Sequence, residues 1–137
     1  MLSKMQSSAE ASFLMCPPEH FAVTYAINPW MDPAAWSKNA GTLTATAHRE
    51  WEQLRRALLD LGATVEQASP MSGMPDMVFT ANAAVVLDRK ALLARFRHPE
   101  RQREQPRFAK EFQGAAGPRR HRQRPPVAGR PHPGRRR

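Results

Sequence analysis

Two short segments of the sequence set polar side chains among apolar neighbours, a pattern that suits the binding of a small polar molecule. The segment AINPWM, residues 26–31, places Asn28 directly before a proline. The segment PDMVFTANAAVV, residues 75–86, is predicted to contain a strand that Asp76 opens and Asn82 closes. Taken singly, such an amide or carboxylate is more typical of a turn or a cap.

These polar groups acquire a common chemistry if they lie together at the open ends of adjacent strands, over an apolar floor. Amide oxygens and a carboxylate accept hydrogen bonds from a planar, multi-donor guanidinium group. The nearby arginines Arg95, Arg97 and Arg101 offer the complementary fork to a carboxylate. The pattern therefore favours a ligand that carries both kinds of group.

The remaining reactive residue types form no convincing nucleophile–base pair or metal site. Cys16 lies in an apolar run, where a free cysteine usually behaves as a small buried hydrophobe. His20 and His48 lack a spacing typical of metal ligands, and His98 precedes a proline at a predicted helix start, which favours a cap or surface role. Gly73 belongs to a turn and not to a phosphate-binding loop. We therefore expect no metal and no cofactor.

Length and composition bound the class of protein. The chain has 137 residues, 41% of them hydrophobic and 24% charged, which allows one domain of modest size. No apolar run approaches the roughly 18 residues that a membrane span needs, and the N-terminus lacks the apolar core of a secretory signal. A single cysteine excludes an internal disulfide framework and a multi-cysteine zinc site. These features predict a cytoplasmic protein.

The positive charge is concentrated at the end of the chain. The formal net charge is +9, yet residues 115–137 hold eight arginines, five prolines and no acidic residue. We expect this Arg/Pro-rich segment to be disordered, because it cannot bury enough apolar surface to offset its ordering entropy. One interpretation is an arm that binds nucleic acid or another anionic surface without sequence specificity. The favoured interpretation is a frameshift or truncation in a GC-rich gene, because the composition breaks abruptly inside a predicted helix, and an expression artefact is a third alternative.

The first half of residues 1–114 is predicted to contain a strand and a long helix. The apolar run 12–16 ends at two prolines and predicts a buried strand, followed by a structured loop to about Trp36. From Thr42 to Leu61 the period is helical, with Thr42 or Thr44 as the cap and Gly62 as the C-terminal glycine. The predicted buried stripe of this helix consists of Trp51, Leu54, Leu58 and Leu61.

The second half is richer in strand signals. Asp88-Arg89 is a plausible two-residue hairpin turn. His98 starts a further helical segment, in which Pro106 marks a first turn or a break and the buried face comes from Phe108 and Phe112. The order of elements predicts an α/β fold with one mixed sheet covered by helices. The predicted strands and apolar runs are 64–67, 77–80, 83–87 and 90–96.

Three motifs together resemble the guanidino-group-modifying superfamily. They are INPWM, PDMVFTANAAVVL and RFRHPERQREQP, and the similarity covers roughly residues 12–114. The superfamily includes amidinotransferases, arginine deiminases, arginine dihydrolases and dimethylarginine dimethylaminohydrolases. The resemblance implies the N-terminal portion of a pentein-type α/β propeller, holding about two of five modules. It sets a partial enzyme domain at 1–114 and the Arg/Pro-rich segment at 115–137.

The resemblance also implies roles for four residues toward arginine or a related guanidine. Asn28 and Asn82 correspond to polar contacts with the guanidino group, and Asp76 matches a substrate-side acid of the dimethylarginine hydrolases. Arg101, or with less support Arg95, corresponds to the partner of the substrate carboxylate. Asn82 stands where dimethylarginine hydrolases and deiminases carry an acid, which favours the arginine dihydrolase type.

In the superfamily a cysteine thiolate attacks the guanidinium carbon while a histidine serves as general acid and base, without a metal. The family places this histidine in a middle module and the cysteine near the C-terminus, and neither position is matched in this sequence. We therefore expect the chain to derive from a guanidine-modifying enzyme, either a C–N hydrolase or an amidinotransferase, and to be catalytically inactive itself.

Overall fold

A computed structural model describes residues 11–88 and 90–115 of the chain. These residues form a mixed helix and strand structure, while residues 1–10 and nearly all of the Arg/Pro-rich segment, 116–137, lie outside the described part. No helix in the described part is long and apolar enough to cross a membrane. In chain order the elements are β1 (Ser12–Met15), α1 (Pro33–Asp60), β2 (Thr64–Gln67), β3 (Ala84–Leu87), β4 (Lys90–Leu93), α2 (Pro99–Gln102) and α3 (Gln105–Ala115).

Strands β1 and β2 pair in parallel, with Ser12 opposite Thr64 and Met15 opposite Gln67. The N–H of Ala68 extends the pairing by donating to the Met15 carbonyl at 2.8 Å. Both strands were predicted, and the connection between them is α1, as parallel strands require a crossover. The buried end of β1 leads directly to Cys16, which is fully buried, so the prediction of a buried first strand is confirmed at that end.

Helix α1 starts nine residues before the predicted start. Asp32 is its N-cap, since the Oδ1 atom accepts hydrogen bonds from the N–H groups of Ala34 and Ala35, both at 2.9 Å. The prediction of a cap at Thr42 or Thr44 is therefore wrong. An aspartate followed by a proline at the first helical position is a strong start signal, because the proline lacks the N–H that would otherwise need a partner. A kink at Asn39, where φ is −129°, separates the first turn and a half from the rest.

The end of α1 agrees with the sequence. Gly62 has a φ of +82°, a left-handed conformation that suits glycine. The N–H of Gly62 donates to the Leu59 carbonyl at 2.9 Å, and the N–H of Ala63 donates to the Leu58 carbonyl at 3.1 Å. This pair of hydrogen bonds is a Schellman motif, which satisfies the last carbonyls of the helix and turns the chain into β2.

The predicted apolar stripe of α1 is only half covered. No residue of α1 is buried, and Leu54 and Leu61 of the stripe are 55% and 84% exposed. Helical periodicity reports which side chains share a face, but burial requires another element against that face. Among the described residues, α1 packs mainly along β2, a strand of four residues. The expected packing of the stripe into a core is thus wrong for this part of the chain.

Residues 75–82 form two short 3-10 helices, Pro75–Val78 and Thr80–Asn82, where a strand was expected. The N–H of Phe79 donates to the Asp76 carbonyl at 3.0 Å, and the N–H of Ala83 donates to the Thr80 carbonyl at 3.0 Å. These local bonds use backbone groups that pairing in a sheet would need. The described strands therefore form two separate two-stranded sheets and not one mixed sheet.

Strands β3 and β4 form the second sheet, an antiparallel hairpin with Leu87 opposite Lys90. The two-residue connection confirms the predicted turn, and Asp88 has a φ of +49°, as tight hairpin turns require. Pro99 opens α2 at its first position and Pro106 lies in the first turn of α3, where a proline costs no hydrogen bond.

The core lies between the first sheet, the 3-10 segment and α3. Thr80 Oγ1 donates to the Leu14 carbonyl at 2.8 Å, which ties the 3-10 segment to β1. Phe108 of α3 is fully buried and Phe112 packs against the same cluster, so the predicted face of that helix is confirmed. The core cluster consists of Cys16, Ala68, Met74, Met77, Ala83 and Phe108.

Candidate functional site

An open cleft of about 420 Å³ lies beside the end of the hairpin and the start of α2. The chain between β4 and α2 supplies most of its wall, and the second 3-10 helix adds Asn82. The polar lining consists of an amide and several cationic or titratable groups, which makes the cleft suitable for an anionic group. Lining residues include Ile27, Asn82, Arg95, Arg97, His98 and Arg101.

Arg101 is the buried cation of this wall, with 6% of the residue exposed. Its Nε and Nη2 atoms donate to Glu104 Oε2 at 3.1 and 2.8 Å, and Nη2 also donates to the Asp76 carbonyl at 3.1 Å. The guanidinium carbon lies 4.2 Å from the centre of the Phe96 ring. Arg101 is therefore fixed by a carboxylate along one edge and by an aromatic ring on one face.

Asp76 extends the buried cluster away from the cleft. Its residue is 3% exposed, and its Oδ2 atom accepts a hydrogen bond from the Tyr25 hydroxyl at 2.8 Å. The same oxygen lies 3.8 Å from Arg101 Nε, an ion pair without a hydrogen bond. Two buried carboxylates, Asp76 and Glu104, thus share one guanidinium, and the hydroxyl of Tyr25 compensates part of the second charge.

Burial perturbs the protonation of this cluster. Glu104 is fully buried, and loss of solvation raises the pKa of its carboxyl, although the hydrogen bond and charge of Arg101 oppose that change. Burial and the hydrogen bond to Asp76 also raise the pKa of Tyr25 well above its usual range. Tyr25 therefore remains a hydrogen-bond donor to Asp76 at neutral pH.

Asn28 and Asn82 both lie at exposed positions near the cleft, yet they differ in how their side chains are used. The Oδ1 atom of Asn28 accepts the N–H of Trp30 at 3.0 Å, which closes an Asx turn. Asn82 lines the cleft together with Arg101, whereas Asn28 adjoins it through its neighbour Ile27. The structure thus brings Asn82 to Arg101 and Arg101 to Asp76, and the supporting elements are 3-10 turns instead of the expected strand ends.

Three residues of the cluster were not identified from the sequence. Glu104 is three residues after Arg101, a helical spacing that favours contact between the two side chains. Phe96 was assigned only to a strand, and Tyr25 lies 51 residues from Asp76, so no local pattern predicts that contact. The long-range members of the cluster are therefore the ones that sequence spacing misses.

Cys16 has the environment of a structural cysteine. Its residue is fully buried, and burial, assisted by Glu19, raises the pKa of the thiol from 9.0 to about 12. A thiolate at neutral pH is thus strongly disfavoured, so this thiol is a poor nucleophile. The prediction of core packing for Cys16 is confirmed. Within 11–88 and 90–115, no group of three His, Cys, Asp or Glu side chains is arranged as a metal site.

Comparisons with known sequences show that the chain is similar to guanidine-modifying enzymes. No family model matches the chain. It is 43% identical over 102 residues to the bifunctional arginine dihydrolase/ornithine cyclodeaminase AgrE of Nostoc sp., and 44% identical over 97 residues to the dimethylarginine dimethylaminohydrolase of Mycobacterium tuberculosis. These matches cover 74% and 71% of this chain but 14% and 30% of the relatives, so the chain spans less than a third of their length.

Solved structures give the same result. AgrE in a complex with L-arginine, studied as a mutant, superimposes with a TM-score of 0.70 at 41% identity, covering 78% of this chain and 15% of that one. The N-terminal domain of ArgZ, covalently bound to a reaction intermediate, gives a TM-score of 0.65 at 36% identity and covers 78% and 38%. The resemblance inferred from the three motifs is confirmed for the N-terminal part.

Proposed function

We propose that this chain, whose homologues are guanidino-group-modifying enzymes, contributes one side of a pocket for arginine or a closely related guanidine. The observation that carries the proposal is the cleft in which Asn82 and the buried Arg101 lie together, with Asp76 against Arg101. This arrangement falls in a chain that matches a structure of AgrE with L-arginine at 41% identity.

The chemistry of the cleft supports a ligand with two ends. The side-chain oxygen of Asn82, which lines the cleft, is an acceptor suited to a guanidinium group, which offers five N–H donors in a plane. Asn28 and Asp76, which the resemblance assigns to the same group, are not among the lining residues, and their oxygens accept hydrogen bonds from the Trp30 N–H and the Tyr25 hydroxyl. Arg101 is the proposed partner of the ligand carboxylate, and Arg95 lines the same cleft as the second choice. The four residues that we assign to the pocket are Asn28, Asp76, Asn82 and Arg101, and the binding experiment below tests Asn82.

The parental reaction that we propose is hydrolysis of a guanidine C–N bond. In this chemistry a thiolate adds to the guanidinium carbon, the nitrogen product leaves with a proton, and water then releases the thiol. The amide at Asn82 and the relatives named as arginine dihydrolase and dimethylarginine dimethylaminohydrolase favour hydrolysis over amidino transfer. Those relatives are much longer than this chain, so the assignment concerns the type of enzyme from which the pocket derives.

We further propose that the 137-residue polypeptide does not catalyse this reaction by itself. Its single cysteine is the buried Cys16, whose pKa is raised to about 12. A thiol that is protonated and shielded by the core cannot attack a ligand in the cleft. The proposal is checked by incubating the purified full chain with L-arginine and measuring ammonia and urea. Sustained release of either product that is abolished when Cys16 alone is replaced would contradict it.

Binding of L-arginine to the full chain tests the pocket itself. Isothermal titration calorimetry should detect binding that Asn82→Ala weakens by about tenfold, because one hydrogen-bond acceptor for the ligand in the cleft is lost. Arg103→Ala is the matched control, since Arg103 is an exposed arginine two residues after Arg101 and should leave the affinity unchanged. Equal affinities for the unaltered chain and Asn82→Ala would remove Asn82 from the site, and no binding by the unaltered chain would reject the pocket.

A further inference from the structure

The contacts of Arg101 involve its Nε and Nη2 atoms and leave Nη1 unassigned. Nε and Nη2 donate to Glu104 and to the Asp76 carbonyl at 2.8–3.3 Å, and none of these contacts involves Nη1. Because the five N–H donors of a guanidinium are fixed in one plane, holding one edge determines the direction of the remaining donors. The orientation of Arg101 is thus set within the protein before any ligand arrives.

Glu104 is the main source of this orientation. It is the fully buried carboxylate, and its two oxygens both contact Arg101 along the Nε–Nη2 edge. Asp76 Oδ2 lies farther from the guanidinium, at 3.8 Å, and accepts its hydrogen bond from Tyr25. Phe96 restricts the face of the guanidinium, but a ring does not select one edge over another.

The segment that carries Phe96 is itself held by the helices that follow. The Phe96 N–H donates to Gln105 Oε1 at 2.8 Å, and Gln102 Nε2 donates to the Phe96 carbonyl at 3.2 Å. These bonds connect the wall of the cleft to α2, which carries Arg101, and to α3, which starts directly after Glu104. The wall, the cation and its carboxylate therefore form one preorganised unit.

We infer that Glu104 is a positioning residue that directs the Nη1 atom of Arg101 toward the carboxylate of an arginine-type ligand. The inference rests on the proposed function, in which Arg101 binds that carboxylate, and it adds a residue and a mechanism. A buried ion pair contributes little net stability compared with apolar packing, so its use here is geometric. Glu104 acts on ligand affinity through Arg101 and does not touch the ligand.

Two ligands separate this role from a general structural one. L-arginine carries both a guanidinium and an α-carboxylate, whereas agmatine is the same molecule without the carboxylate. If Glu104 acts through Arg101, Glu104→Gln should weaken L-arginine binding to the full chain by about tenfold or more and change agmatine binding by less than about twofold. Glu104→Asp, which keeps the negative charge, should recover part of the L-arginine affinity. Glu100→Gln is the matched control, an exposed glutamate on α2 four residues before Glu104.

A second readout does not depend on ligand binding. The Nε–H signal of Arg101 in a ¹H–¹⁵N spectrum, assigned by its absence in Arg101→Lys, should be protected from solvent exchange in the unaltered chain and lose that protection in Glu104→Gln. The overall spectrum of each variant reports whether the chain is folded, and Glu104→Asp supplies the comparison if Glu104→Gln unfolds.

The outcomes distinguish the positioning role of Glu104 from the proposed pocket. Equal losses for L-arginine and agmatine in a folded Glu104→Gln chain, or an Nε–H signal that stays protected, would overturn the positioning role while leaving the pocket in place. Failure of the unaltered chain to bind either ligand would overturn the proposed function and with it the role of Glu104 toward a ligand. Selective loss of L-arginine binding, with recovery in Glu104→Asp, supports the inference.

Discussion

The packed centre of the molecule and its open elements differ in burial and in the regularity of their secondary structure. The packed centre comprises the core cluster and the buried residues Asp76, Arg101 and Glu104, and it is built from a strand end, 3-10 turns and the short helices. The open elements are α1 and the hairpin β3–β4, whose apolar residues Leu54, Val85 and Leu87 are at least 55% exposed. Regular periodicity marks the open elements, whereas the irregular segments supply the buried chemistry.

This difference shows where the site obtains its rigidity. Arg101 and Asp76 are held by contacts between segments that are distant in sequence, so their geometry depends on the packed centre and not on the longest helix. We therefore expect substitutions in the packed centre to affect both stability and ligand binding, and substitutions in the open elements to affect neither strongly.

The largest effect should come from Arg101→Ala, which leaves Asp76 and Glu104 buried without their shared cation. Breaking a buried ion pair from one side costs about 3–5 kcal/mol. Urea denaturation followed by circular dichroism gives the free energy of unfolding. Arg103→Ala is the exposed control and should stay within about 0.5 kcal/mol of the unaltered chain. A loss below about 1 kcal/mol for Arg101→Ala would mean that water reaches the two carboxylates.

The next effect compares two apolar side chains of similar size. Met77 is 2% exposed in the packed centre, and Leu92 is 72% exposed on the hairpin. Met77→Ala should lower the free energy of unfolding by about 2–5 kcal/mol through lost burial and a cavity, and Leu92→Ala by less than about 0.5 kcal/mol. Comparable losses at both positions, measured in the same denaturant series, would abolish the distinction between the two regions.

The thiol of Cys16 reports the packed centre as a function of pH. Its pKa is raised from 9.0 to about 12, so the folded chain disfavours the thiolate that the unfolded chain forms above 9.0. Stability should therefore fall as the pH rises above about 9, and this part of the fall should disappear in Cys16→Ala. Denaturation midpoints at pH 8 and pH 10 measure the difference. Identical pH dependences for the two chains would show that the thiol is hydrated.

The smallest effect is expected on α1. Glu52 contacts Arg55 and Arg56 at 2.7 Å, and these hydrogen bonds lower the pKa of its carboxyl from 4.5 to about 2. The stabilisation is thus complete above about 4.5 and is lost as the pH falls toward 2. Because the pairs are at the surface, salt should screen them. The test compares the helicity of the unaltered chain with that of Glu52→Gln at pH 5 and pH 2, in low and in high salt. A salt-independent difference would place the pairs in a less solvated environment.

Local signals in the sequence predicted the elements that local interactions determine. The bounds of β2, the hairpin turn after Leu87 and the glycine that ends α1 follow from propensity and turn chemistry. The predicted start of α1 was wrong because Asp32, which precedes a proline, caps the helix, and the two threonines predicted as caps lie inside it. The strand expected at 75–82 failed because an apolar run does not distinguish a strand from 3-10 turns that satisfy their own backbone.

The sequence singled out several residues of the candidate site but did not predict the contacts between them. Asp76, Asn82 and Arg101 follow from residue types and from the resemblance carried by the motifs. In the structure Asn82 and Arg101 line one cleft, and Asp76 forms an ion pair with Arg101. Glu104 and Tyr25 were missed because their importance depends on burial and on a contact across 51 residues. Sequence spacing reports neither property.

The pairing of β1 with β2 has a consequence for how the chain folds. Ser12 must meet Thr64 across the whole of α1, whereas Leu87 meets Lys90 across a two-residue turn. Hairpins close within about 1–10 μs. A parallel pair of strands, by contrast, is not stabilised by its hydrogen bonds until the segment between the strands is ordered. We expect the hairpin to form early and the first sheet late, with its contacts absent from the transition state. Mutations in β1 should then accelerate unfolding and leave the refolding rate nearly unchanged.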